Sequence, residues 1–505
     1  MSLTTLLAMA RIKLFSEGRH FSGIRPGRSH AFRWVAAVAA VATLTTVSPA
    51  VSSAAALAWE PCPDRAGFDC AVLNRPISVK QPGLGTFGMA LVRHRATDPS
   101  RRIGVLVVNP GGPGQSGVDF TFAVEQKFSP EVRARFDVVG FDPRGVGLSQ
   151  PVRCSAEVLF GGPTTHPADK AGFDALVKHG KELREDCARR SGPIIDHVST
   201  DEVVADVDAL RRALKESRIS YYGLSYGTVI GQRLAELHGA HVRAMVLDSV
   251  VNRGVNARAH VASVARAAAD SFEQWRRWNE RTASSPLHGK DVVALWDELM
   301  AKAARGELVA PDDPDRRLTV HDLSNTVTSL ASVPDWAELS ARVHAMHMGG
   351  VVPHATAGDD TFLFPMAATA IRCADRGFRV RAFAEYRALT RLENRISPHT
   401  DGSLRGNLAM TECLGGPDAR LPQRPGVMRT ELPALLLNSR HDPATPHDEA
   451  MSVRRRQRDA TVFVTYEGAG HGVYNRSECT RRVSDRYLVS LELPADGSSC
   501  PSADR

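Results

Sequence analysis

The chain predicts an α/β fold: a mostly parallel, doubly wound sheet with a large, mainly helical segment inserted before its last strands. Three observations carry this expectation. Short apolar runs of strand length (Ile103–Asn109, Phe136–Phe141, Val242–Val250) alternate with helical patterns through the first half. One further strand, from Ile219, runs straight into a helical pattern across Gly223-Leu-Ser-Tyr-Gly227. The alternation stops at about residue 252 and resumes at Pro433. Strands joined by helices pair in parallel, and such sheets present ligands at the carboxyl ends of their strands.

The 505 residues suffice for a large core and more than one structural unit. Hydrophobic residues make up 43% and charged residues 24%, which excludes wholesale disorder. The formal charge of +7 is not a nucleic-acid footprint: residues 1–58 hold six Lys/Arg against one acid, leaving about +2 for the rest. No basic face with interleaved aromatics is present, so no nucleic-acid partner is expected. Residues 1–58 read as an export leader. A basic region ends at Arg33, Trp34 to Ala58 is uncharged, and small residues follow Pro49. The competing reading of that stretch is an uncleaved anchor, which Pro49 and the Ser/Thr content oppose. No later stretch is long and apolar enough to span, so no stable membrane embedding is expected once the leader is removed. The eight cysteines are even in number and contain no C-x-x-C, as a disulfide framework outside the cytosol requires. Eight cysteines allow 105 pairings, of which nearest-neighbour pairing (62–70, 154–187, 373–413, 479–500) is expected because each bridge would close one local excursion.

Taken in order, Trp59 to Lys80 reads as an irregular lead-in and Thr86 to Arg95 as an edge strand. The buried strand Ile103–Asn109 breaks into Pro110-Gly-Gly-Pro-Gly114, a loop free to aim backbone amides at a ligand. After Phe136–Phe141, Asp142 and Arg144 are read as loop architecture. An irregular excursion carries Cys154 and Cys187. Ser199-Thr-Asp-Glu202 offers a capping box ahead of an apolar stripe at Val203, Val207, Leu210 and Leu214. Residues 59–251 are therefore the first part of a core, 252–430 a helical lid, and 431–505 the rest of the core. In the last part, Pro433–Asn438 is a strand ending before Asp442, Thr461–Tyr466 is a strand ending before His471, and a final helix closes the chain near Leu491. The His344-x-x-His347 pair in the lid is too short a pattern for a metal site.

These pieces compose a chemistry. The strand–turn–helix at Gly223–Gly227 is the G-x-S-x-G pattern, which strains Ser225 and lifts its hydroxyl above the sheet. Serine needs a base, and the base needs an orienting carboxylate. In this architecture the order is Ser, acid, His, which selects Ser225, Asp442 and His471. His441, Asp448 and Glu449 are nearby decoys. The oxyanion hole is expected from the backbone amides of Tyr226 and Gly112. The mechanism is complete without a metal or organic cofactor.

Asn109-Pro-Gly-Gly-Pro-Gly114, Phe141-Asp-Pro-Arg-Gly-Val-Gly-Leu-Ser149, Tyr222-Gly-Leu-Ser-Tyr-Gly227, Asp442-Pro-Ala-Thr-Pro446 and Gly468-Ala-Gly-His471 together resemble the tripeptidyl aminopeptidase branch of the α/β-hydrolases. Those are secreted actinobacterial serine exopeptidases related to the prolyl aminopeptidases. The resemblance runs from about Trp59 to Cys500. It implies the α/β-hydrolase fold, a characteristic C-terminal region at about 400–500, and a peptide substrate with a free N-terminus. The sequence departs after Cys413, where such proteins often carry Trp-Pro and this chain has Leu414-Gly-Gly-Pro417. An aminopeptidase must hold a protonated amine, and Asp375 and Glu412, each near a lid cysteine, are the candidate carboxylates. Two other readings compete: a carboxylesterase on the same triad, and an inactive α/β-hydrolase used as a binding module.

Overall fold

The computed structural model describes residues 57–63, 65–311, 313–349, 364–421 and 425–503. Nearly all of the expected export leader, residues 1–56, lies outside the described residues. Ten strands form one sheet: β1 (Glu60–Pro61), β2 (Phe68–Pro76), β3 (Thr86–His94), β4 (Gly104–Asn109), β5 (Phe136–Phe141), β6 (Ile219–Leu224), β7 (Val242–Asp248), β10 (Ala434–His441), β11 (Thr461–Ala469) and β12 (Ser498–Cys500). Strands β8 (Val309–Ala310) and β9 (Asp313–Arg317) form a separate hairpin. The sheet order is β1-β2-β3-β5-β4-β6-β7-β10-β11-β12. Pairs from β5 onward are parallel, and β1, β2 and β3 are antiparallel to their neighbours. This is the α/β-hydrolase fold. Strand order reverses around β4, so the carboxyl ends of β4 and β6 flank the crevice where such sheets hold ligands.

The central strands read as unbroken apolar runs because both of their faces are covered. On β4, Val105 and Val107 enter the core on one face while Leu106 and Val108 enter the core on the other. Tyr221 and Tyr222 divide in the same way on β6. Between β7 and β10 the described chain is helical apart from the hairpin. This insertion builds an apolar cluster of its own around Trp275, Trp296, Leu323 and Leu339, with the two indoles 5.7 Å apart.

Four expectations need correction. Strand β3 is interior, flanked by β2 and β5, and the expected lead-in holds β1 and β2. Strand β2 is mostly half-exposed, so it lacks an apolar signature; pairing with β3 and the Cys62–Cys70 bridge hold it in place. The excursion after Cys154 contains a 22-residue helix, Lys170–Ser191. Its spacing of Phe173, Leu176, Leu183 and Cys187 is helical, but charged residues dilute it. The expected closing helix, Glu478–Ser490, is followed by a further strand, β12, which the Cys479–Cys500 bridge ties back to that helix. All four disulfides join the nearest-neighbour pairs.

Candidate active site

Strand β6 ends at Leu224, and the helix Gly227–His238 begins two residues later. Ser225 between them has φ of +57°, a conformation that costs an L-residue about 1–3 kcal/mol and persists only where its surroundings impose it. They do. The Ser225 amide donates to the Asp248 carbonyl at 2.8 Å, and the Ser225 carbonyl accepts from Thr228 Oγ1 at 2.6 Å. The loop after β4 packs on this turn backbone against backbone. A Cβ on Gly111 would lie 2.4 Å from the Leu224 carbonyl oxygen, and one on Gly227 would lie 2.5 Å from that of Asn109. Only glycine fits either position. The Gly111 amide is committed to Asn109 Oδ1 at 2.9 Å. Gly112, the next residue, lines a cavity together with Ser225 and Tyr226.

Asp442 follows β10 directly and is 2% exposed. It accepts from the Ala444 and Thr445 amides at 2.8 and 2.9 Å and from Thr445 Oγ1 at 2.9 Å. Its carboxylate lies 3.0 Å from His471 Nδ1. Burial opposes its ionisation, but the imidazole and the two amides outweigh burial, and the carboxyl titrates below its ordinary range. Nδ1 faces Asp442, so Nε2 is the His471 ring nitrogen turned away from that carboxylate. Among the described residues, Ser225 Oγ and His471 make no hydrogen bond to each other.

The His471 loop is held by a residue that the sequence reading missed. Asp248, at the end of β7, is fully buried. It accepts from the Val473 and Tyr474 amides at 2.8 and 2.9 Å and from the Tyr222 hydroxyl at 2.8 Å. Desolvation pushes its pKa up, and those three donors and His471 work against it. Gly472 N also donates to Ser249 Oγ at 2.8 Å, and a Cβ on Gly472 would stand 3.3 Å from Leu224 Cδ1. These contacts set the loop beside the serine turn. The acid at the carboxyl end of β7 was the available signal for Asp248. The His471 amide reaches the insertion, donating to the Ser332 carbonyl at 2.8 Å.

The two candidate amine anchors separate. Glu412 lines the cavity beside Ser225 but is paired with Arg372, whose Nε donates to its two carboxylate oxygens at 2.7 and 2.9 Å. Asp375 does not line it, which corrects that expectation. It is 1% exposed and accepts from the Thr200 amide at 2.7 Å, the Thr200 hydroxyl and the Tyr226 hydroxyl at 2.7 Å. Desolvation lifts its pKa to about 6 against those donors. Asp375 thus braces the residue whose amide follows Ser225. Glu449 also lines the cavity and faces His260 Nδ1 at 2.8 Å. The remaining decoys have partners elsewhere: His441 faces Asp270 at 2.8 Å, and Asp448 faces Arg266 at 2.7 Å. Asp142 caps the Gly117–Phe122 helix through the Ser116 hydroxyl and the Val118 amide, and Arg144 pairs with buried Asp206 at 2.7 Å. Both are architecture, as read from the sequence. Among the described residues no group of three His, Cys, Asp or Glu could hold a metal ion.

A positive-φ serine between strand and helix, a glycine loop against it and an Asp–His pair at the same sheet edge define a serine hydrolase of the α/β-hydrolase fold. Residues 403–500 match the family model of TAP-like proteins. The chain is 28% identical over 490 residues to the serine protease Hip1 of Mycobacterium tuberculosis, covering 88% of this chain and 90% of that one. It is 29% identical over 482 residues to the tripeptidyl aminopeptidase of Streptomyces lividans, covering 90% and 88%. It is 29% identical over 464 residues to carboxylesterase B of Mycobacterium tuberculosis, covering 85% and 86%.

Proposed function

We propose that the protein is an exported serine exopeptidase that releases short peptides from free N-termini. In this reading Ser225 is the nucleophile, His471 the general base and Asp442 the residue that orients and stabilises the imidazolium. His471 Nε2 takes the Ser225 proton as Oγ attacks the scissile carbonyl, then returns it to the leaving amine; water resolves the acyl-enzyme by the same steps in reverse roles. The Tyr226 and Gly112 amides receive the oxyanion. The observation that carries the reading is the His471 imidazole 3.0 Å from the buried Asp442 carboxylate, on a loop tied through Asp248 to the strained serine turn. Peptide chemistry is favoured by the carboxylate of Glu412 in the cavity, which an incoming ammonium would share with Arg372. The helical insertion acts as the lid, since Arg372, Arg405 and Glu412 bring it to the cavity wall. Export agrees with four disulfides and with the basic, then uncharged leader.

One observation favours a carboxylesterase as the second reading: both cavity carboxylates, Glu412 and Glu449, already have partners. The deciding experiment offers three substrates to the protein and to Ser225→Ala: a free-amine tripeptide anilide, its N-acylated form and a short acyl nitrophenyl ester. Cleavage of the free-amine peptide alone, abolished in Ser225→Ala, is the expected result. Cleavage of the ester alone leaves an esterase, and activity surviving in Ser225→Ala removes Ser225 from the mechanism.

A further inference from the structure

The reaction cavity holds three guanidinium groups and two carboxylates, and only one of those guanidiniums has a carboxylate partner. Arg372 is taken by Glu412, and Glu449 by His260. Arg376 donates to the Asn252 carbonyl at 3.2 Å and lies 5.1 Å over the Phe378 ring. Arg405, on the helix Leu404–Thr411, lines the cavity with Ser225 and makes no hydrogen bond or ion pair among the described residues. Asp442 is the acid whose field reaches it, but that carboxylate is already filled by His471 and two amides. Arg405 is exposed, so water reaches its guanidinium; desolvation at the cavity wall and the neighbouring Arg372 lower its pKa from the usual arginine value, against the pull of Asp442. A guanidinium that lines the cavity with Ser225 and has no partner of its own is open to an anionic ligand.

We propose that Arg405 is a specificity residue that receives a carboxylate of the substrate. The guanidinium fork suits a planar carboxylate better than a point charge would. Two sources share this chemistry: an acidic side chain on the acyl side of the scissile bond, and the free C-terminal carboxylate of a short peptide. The inference rests on this cavity being the substrate cavity of the Ser225 hydrolase.

Matched substrate pairs test it. Free-amine tripeptide anilides carry Glu or Gln at each position in turn, and tetrapeptides carry a free or amidated C-terminus. Nitrophenyl esters of a dicarboxylic half-acid and its half-amide form the third pair. In at least one pair the carboxylate form is expected to have a kcat/KM at least about 10-fold higher, mainly through KM, and to lose that advantage as salt rises. The pair that shows it names the source. In Arg405→Gln the ratio falls to about 1, and in Arg405→Lys, which also serves if Arg405→Gln does not fold, it is only partly kept. Equal rates in every wild-type pair overturn the proposal, as does a preference unchanged in both variants. Turnover of esters alone defeats the peptidase reading while the ester pair still decides on Arg405. Calorimetric binding of the same Glu and Gln peptides and half-acid to Ser225→Ala decides without turnover: equal affinity, or no binding of any carboxylate form, overturns it.

Discussion

At the scale of single residues, the site is a set of buried acids given different work by their neighbours. Asp442 is buried with an imidazole and two amides and titrates below its ordinary range; in the proposed triad it orients His471. Asp442→Asn is expected to lower kcat by about 10⁴-fold, because the wrong imidazole tautomer is held. A stopped assay on folded variant, with its circular dichroism unchanged, checks this. Asp375 has three donors but no charged partner, and desolvation lifts it to about 6. Its folded pKa is above the unfolded value of about 3.9, so its contribution is fully present below pH 4 and is lost as pH rises from about 4 to 6. Urea titrations of wild type and Asp375→Asn should therefore diverge across that window, on the order of 3 kcal/mol in wild type's disfavour, and run parallel above it. A difference independent of pH would show that Asp375 is not held protonated. Arg144 and Asp206 are each at most 2% exposed. Arg144→Met strands a buried carboxylate that Arg75 alone then serves, and a loss of about 3–5 kcal/mol is expected in denaturant unfolding.

At the scale of elements, the chemistry depends on how strand ends and loops are stapled to one another. The serine turn is clamped by β7 through Asp248, and the histidine loop is tied to the same acid. The insertion is stapled where it meets the cavity. The Cys373–Cys413 bridge joins the residues immediately beside Arg372 and Glu412, closing a separation of 40 residues. Replacing both cysteines by serine is expected to cost about 4 kcal/mol. It should also raise KM more than it lowers kcat, because the wall carrying Arg372 and Glu412 loosens while the Asp442–His471 pair stays on the sheet. Thermal unfolding and steady-state kinetics on the double variant measure both. An unchanged KM would mean that the bridge only restrains the chain.

At the scale of the whole molecule, sheet and insertion share the site. The sheet supplies the serine turn, the glycine loop, Asp442 and His471, all at strand ends on one edge. The insertion supplies Arg372, Arg405 and Glu412 to the cavity, and Ser332 and Asp375 as supports for the His471 backbone and Tyr226. Under the proposed triad, this division keeps the chemistry on the sheet and leaves the substrate contacts to the insertion.

The amino-acid sequence by itself determined the α/β class, the parallel central strands and the strand-end positions of Ser225, Asp442 and His471. Each of these is written in local pattern: an apolar run buried on two faces, a glycine-bracketed turn, a polar residue just past a strand. Only the tertiary structure decided that β3 is interior, that Asp248 anchors the histidine loop, that Asp375 braces Tyr226 away from the cavity, and that Arg405 is left unpaired inside it. These are outcomes of pairing between residues far apart in sequence. A carboxylate or guanidinium looks the same along the chain whether its partner is a neighbour, a buried amide or a substrate, and the fold alone settles which of these stands opposite.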